Sequence, residues 1–177
     1  MSIPIRNAER LHVVAVERTF FVTSSTWGKC GLLQSARSAS LLIDVLYHYR
    51  EQRKYLLHEF VVMPYHFHVL ITVGAEVTVE TAVQLIKGGF AFRAGRELGF
   101  RAPVWQKGFS EIRVHERQAY VRIREYIHAN PVKQLLVTAV ADYPYSSACS
   151  EFELDPPPQR LKAPPESFAF GIAKAMP

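Results

Sequence analysis

Hydrophobic and polar positions along this chain follow two periods that take turns. Arg18 to Trp27 (RTFFVTSSTW) is rich in β-branched and aromatic residues with no helical period, which predicts a strand. In SARSASLLIDVLYHYREQRK, from Ser35 to Lys54, Leu41, Leu42, Val45, Leu46 and Tyr49 recur at helical spacing. That pattern predicts an amphipathic helix capped by Ser35 or Ser38. Two strands follow, YLLHEFVVM and HFHVLITV, separated by Pro64-Tyr65. Proline fixes φ and cannot continue a central ladder, so a tight hairpin turn is expected there.

TVETAVQLIKGGFAFRAGRELG reads as a second helix with Val79, Ala82, Val83 and Ile86 on its apolar face. Gly88-Gly89 weakens its middle, since a glycine in a helix interior costs about 1 kcal/mol. A break, or a close backbone approach to a ligand, is expected at that point. PVWQKGFSEIRVH supplies a short extended segment. ERQAYVRIREYIHANP is a third helix with Tyr120, Ile123 and Ile127 inward. It should end at Asn130, because the residue before a proline is pushed out of the α region. The order β-α-β-β-α-β-α implies an α+β sandwich of the ferredoxin-like kind, with helices packed on an antiparallel sheet. One domain is expected over residues 1–150. The proline-rich stretch 151–177, with DPPPQR and APPES, reads as an extended, partly mobile arm.

Composition narrows the setting. A hydrophobic share of 49% and a charged share of 21% are those of a globular protein. No apolar run reaches the roughly 20 residues that span a bilayer, and MSIPIRNAER lacks a signal-peptide pattern. Cys30 and Cys149 show no CxxC spacing, so reduced thiols in a cytoplasmic protein are expected. The net charge of +5 fits a polyanionic partner. The excess is regional: Lys87, Arg93, Arg96, Arg101, Lys107, Arg113, Arg117, Arg122 and Arg124 face only Glu97, Glu111 and Glu116 over the same segment.

The chemistry centres on HFH. Alternation along a strand points His66 and His68 to one face and Phe67 to the other. Two imidazoles on one face can ligate a divalent ion, or they can be two hydrogen-bonded histidines of no catalytic use. The third helix adds Tyr126 and Asn130, which lie one turn apart at i and i+4. Asn130 offers a carbonyl oxygen suited to a hard cation, and Tyr126 a phenol that could attack phosphorus. Taken singly, Tyr126 reads as a boundary aromatic and Asn130 as a helix-end residue. Tyr120 is a weaker rival because its spacing buries it, and Tyr65 sits on the turn. For DNA contacts the candidates are Lys87, Arg93, Lys107 and Arg113, with Trp105 or Phe109 to stack a base. His58, His115 and His128 are general-base candidates by type alone.

The blocks VVMPYHFHVLI, LIKGGFAFR, VWQKGFSEIRV, YIHANPVK and DYPYSSA resemble, in that order, the REP-associated tyrosine transposases. These belong to the HUH single-strand endonucleases and are relatives of the single-tyrosine insertion-sequence transposases. The resemblance runs from about Thr19 to Ala148. It implies that His66, His68 and Asn130 hold Mg²⁺ or Mn²⁺ and that Tyr126 is the nucleophile. The implied reaction cleaves and rejoins single-stranded DNA through a 5′-phosphotyrosine, on palindromic repeats that fold into hairpins. The protein would act as a monomer or homodimer. Asparagine followed by Pro131 favours the repeat-associated branch, since the insertion-sequence branch usually has glutamine there. SSTW, ending at Trp27, departs from the arginine often found in the early strand. Two other readings are a hairpin-binding module that does not cut, and a metal-dependent phosphoesterase that uses water.

Overall fold

The computed structural model describes residues 17–159, Leu161 and Lys162. The first residues of the chain and the end of the proline-rich stretch, including APPES, lie outside the described residues. The strands are β1 (Arg18–Ser25), β2 (Leu56–Met63), β3 (His66–Val73) and β4 (Ser110–Val114). The helices are α1 (Ala36–Glu51), α2 (Val79–Leu98) and α3 (Arg117–Lys133). This is the element order that the periodicity predicts.

The four strands form one antiparallel sheet in the order β2-β3-β1-β4. Each helical connection of the βαββαβ unit passes over one strand before rejoining the sheet, and that is the ferredoxin-like arrangement. Helices α1 and α2 cover one face, where Phe20, Val22, Phe60, Val62, Phe67, Val69 and Ile71 meet Leu42, Leu46, Ile86 and Phe90. Helix α3 covers the other, where Phe21, Val61, Met63 and Leu70 meet Tyr120 and Ile127. As an inner strand under helices on both sides, β3 is buried at every position.

Local chemistry explains the ends of these elements. Ser35 caps α1 by accepting from the Ser38 amide at 3.2 Å, and Thr78 caps α2 by accepting from Thr81 N at the same distance. The Pro64-Tyr65 turn closes the hairpin at the Met63–His66 pair. Its two carbonyls are taken by other segments: Pro64 O accepts from Leu33 N at 3.0 Å, and Tyr65 O from Thr26 N at 2.8 Å.

Three expectations change. Helix α2 runs unbroken through Gly88-Gly89. The close approach at Gly89 is internal: a Cβ there would lie 2.8 Å from the Tyr49 ring of α1, so glycine lets the two helices meet. Helix α3 does not end at Asn130 but continues one turn to Lys133, with Pro131 inside it. The proline deprives only the Ile127 carbonyl of its usual donor. The ladder resumes at once, with Gln134 N donating to Asn130 O at 3.1 Å, and the Pro131 ring is buried beside Asn130. The proline-rich stretch begins docked on the domain. Asp155 pairs with Arg50 at 2.8 Å and bonds the Leu57 backbone, while the Phe152 ring lies 5.0 Å from that of Phe60.

Candidate active site

His66 and His68 project from the α3 face of β3, where their cross-strand partners are Ser25 and Thr23 on β1 and Met63 and Val61 on β2. Both are buried, at 8% and 4% exposure, with ring centroids 4.7 Å apart. Helix α3 lays Asn130 directly against His68. The Asn130 amide N–H donates to His68 Nε2 at 3.2 Å. That makes Nε2 the lone-pair nitrogen, so the ring proton sits on Nδ1, 2.7 Å from the Thr23 hydroxyl that accepts it. Thr23 thereby fixes both tautomer and ring orientation, as partners of ligating histidines do.

One turn before Asn130, Tyr126 stands edge-on to His68 at 5.4 Å and to Phe21 at 5.9 Å. It is 41% exposed. The Lys133 ammonium lies 5.3 Å from the ring centroid. Tyr126 and His68 meet within one chain.

Burial pushes the pKa of His66 down to about 4, with a smaller push from the charge of Lys29. Burial, and then His66, push His68 down to about 3. Both imidazoles are therefore neutral near pH 7, each with one unprotonated ring nitrogen. Among the described residues His66 Nδ1 has no hydrogen-bond partner and is sealed from solvent, the kind of orphaned atom that a cation would satisfy. An amide turned half a revolution presents oxygen in place of nitrogen with no change of shape. Two imidazole nitrogens and one amide oxygen then suit an ion whose other positions go to phosphate oxygens and water. Among the described residues no cluster of three or more His, Cys, Asp or Glu offers an alternative centre.

The rival tyrosines separate. Tyr120 is buried against His58, and burial raises its pKa to about 12. Tyr65, on the turn, tilts over His66 at 4.7 Å. The general-base candidates are occupied or remote from Tyr126. His58 bonds Thr72 Oγ1 at 2.8 Å, His128 pairs with Glu59 at 2.7 Å, and His115 follows β4 at the far end of the sheet.

The residues expected to touch DNA are mostly engaged within the protein. Trp105 is half-buried against the core: its ring lies 5.4 Å from Phe67 and 5.3 Å from Phe90, and its Nε1 donates to Lys87 O. Phe109 packs against the same core. Lys87 donates to the Gln106 and Gly108 carbonyls, and Arg93 pairs with Glu97 at 2.7 Å. Arg113 pairs with Phe20, on the sheet face opposite the histidines. Lys107 remains exposed. Residues from distant strands and loops were missed, chiefly Thr23 and Lys29; alternation on β1 could have flagged Thr23 only once its register with His68 was known.

A family model for "Transposase IS200 like" matches residues 31–130, a span that includes His66, His68, Tyr126 and Asn130. The REP-associated tyrosine transposase of Escherichia coli (strain K12) is 26% identical over 137 residues, 73% of this chain and 80% of that protein. Among solved structures, a REP-associated tyrosine transposase bound to a REP hairpin superposes with a TM-score of 0.64 at 24% identity, over 83% of this chain and 82% of that one. A candidate transposase from Deinococcus radiodurans R1 gives 0.51 at 22% identity, over 67% and 92%. These two likenesses carry the fold, and the resemblance read from the five sequence blocks stands.

Proposed function

This chain belongs to the IS200-like transposase family, and from that premise we propose that it cuts and rejoins single-stranded DNA at hairpin-forming repeats, with Tyr126 as nucleophile. The observation that carries the proposal is the meeting of Tyr126 and Asn130 with His68, the ring of Tyr126 at 5.4 Å and the amide of Asn130 at 3.2 Å. A relative of the same fold is bound to a REP hairpin, which supports a hairpin substrate here as well.

His66, His68 and Asn130 would hold Mg²⁺ or Mn²⁺. Such an ion, when bound, polarises a phosphoryl oxygen and orients the phosphate for in-line displacement. The chain's own part is nucleophilic. The Tyr126 oxygen, having lost its proton, attacks phosphorus, and the bond from phosphorus to the 3′-oxygen breaks. That oxygen leaves as a free 3′-OH once protonated, and Tyr126 holds the 5′-phosphate as a phosphodiester. Rejoining reverses this: a 3′-OH attacks the same phosphorus and the phenol is released, with no water consumed. Thr23 holds His68 in the tautomer that keeps Nε2 unprotonated, and Phe21 packs against both His68 and Tyr126.

Incubation with an end-labelled hairpin oligonucleotide and Mg²⁺ tests the reading. A covalent protein–DNA adduct is expected from the parent protein and none from Tyr126→Phe. Cleavage without an adduct would favour a water-using phosphoesterase, and binding without cleavage would favour a hairpin-binding module. Either result overturns the proposal.

A further inference from the structure

The loop after β1 presents an indole to solvent beside the candidate active site. Trp27 is 49% exposed, yet its backbone is pinned. Its amide donates to Val104 O at 2.9 Å, and that of Thr26 donates to Tyr65 O at 2.8 Å. The Thr26 hydroxyl reaches the same Tyr65 carbonyl at 3.0 Å. A large apolar surface held rigidly in water is unusual without a partner, because burying it is what normally stabilises an indole. Gly28 and Lys29 follow at φ 59 and φ 52, and a lysine in the left-handed region is uncommon. Trp27, Gly28, Gln106 and Lys107 together line a shallow cleft of about 400 Å³.

This cleft adjoins the histidines. Ser25, two residues before Trp27, pairs with His66 across the sheet. Tyr65, whose carbonyl anchors Thr26, lies 4.7 Å from the His66 ring. Lys29 is close enough for its charge to be felt at His66. An aromatic plane with Lys107 in the same cleft and Lys29 two residues on is matched to a polyanion with flat groups, whereas an apolar peptide would leave both cations unanswered.

We propose that Trp27 is a stacking platform for an unpaired base of the DNA strand whose phosphate sits at His66 and His68, with Lys29 and Lys107 neutralising the adjoining phosphates. The inference rests on the single-stranded or hairpin DNA substrate proposed above. It moves the stacking role from Trp105, which the core takes, to a tryptophan that the core leaves out. Such stacking tolerates any base, since every base has a π-face. It would hold the strand that leaves the hairpin, not the hairpin itself.

The test measures binding in the full chain carrying Tyr126→Phe, so that no probe is cut. The probes are a labelled hairpin and the same hairpin with a short unpaired thymidine extension at either end, read by fluorescence anisotropy. Adding Trp27→Ala should weaken binding of an extended hairpin by about 5- to 150-fold and leave the blunt hairpin unchanged. Trp27→Phe should keep most of the affinity. Lys29→Gln with Lys107→Gln should lower the salt slope for the extended probe by about 0.7 for each phosphate no longer neutralised. Equal affinity for extended and blunt probes before and after Trp27→Ala overturns the proposal, and so does an equal loss on both. Absence of a tyrosine adduct in the cleavage assay would leave this binding result standing, so the two failures are distinguishable.

Discussion

On one face of β3, Phe67, Val69, Ile71 and Val73 enter the large core under α1 and α2; on the other, His66, His68, Leu70 and Thr72 meet α3. The two sets alternate along a single strand of eight residues, every one of them buried. What differs is the partner offered to each side chain. The first face meets hydrocarbon throughout. The second meets Thr23, Asn130, Tyr126 and, through Thr72, Thr19 and His58. Buried imidazoles are tolerable there because they are neutral and largely bonded. The face away from α3 can therefore carry the stability of the fold, while burial on the α3 face goes into holding two lone pairs still.

Emptying the apolar face should have the largest consequence. Phe67→Ala should cost about 3–5 kcal/mol of stability, through reduced transfer energy and a cavity next to Phe90 and Trp105. Urea denaturation would read this as a lower midpoint with an unchanged slope. A loss no larger than that of an exposed-site control such as Phe92→Ala would contradict it.

A smaller effect, confined to the other face, is expected from Thr23→Val. Removing the acceptor for His68 Nδ1–H loosens ring and tautomer together. Mn²⁺ affinity in titration calorimetry should fall about 10- to 100-fold, with Thr23→Ser close to the parent. Unchanged affinity in Thr23→Val would show that the 2.7 Å hydrogen bond positions nothing.

A further effect is a pH slope. Burial holds His58, His66 and His68 below the ordinary histidine value, the last two at about 4 and about 3. Once pH drops below about 6.5 the unfolded chain binds protons that the folded chain refuses, so stability falls on acidification and is level above that value. Thermal midpoints should drop between about pH 7 and pH 5, and less so in His68→Gln. A flat profile through that range would mean that the imidazoles are not held neutral by the fold.

Much of this architecture was legible because it is local. Strand alternation set His66 and His68 on one face, and the i, i+4 spacing set Tyr126 above Asn130. Element order followed from where the period changed from two to 3.6. The remainder is set by distant pairings that no window along the chain contains. Thr23 is 45 positions from His68, and Glu59, which holds His128, is 69 positions away. Trp105 and Trp27 look alike as residues, and only tertiary packing decides that one is half-buried against the core and the other exposed. A regional charge excess does not reveal where each charge points: Lys87 and Arg93 are bound to the chain's own oxygens, and Arg113 lies on the sheet face opposite the histidines. The Pro131 rule failed because it weighs one missing hydrogen bond and a local clash, and not the burial that compensates them.

Of the eight tyrosines in the chain, Tyr126 is the one expected to form the bond to DNA. Protease digestion of the adduct formed with a hairpin oligonucleotide and Mg²⁺, followed by mass spectrometry, locates that bond directly. A 5′-phosphonucleotide should appear on the peptide containing Tyr126. Attachment at Tyr65, whose ring lies beside His66, or cut DNA with every tyrosine unmodified, would contradict the assignment.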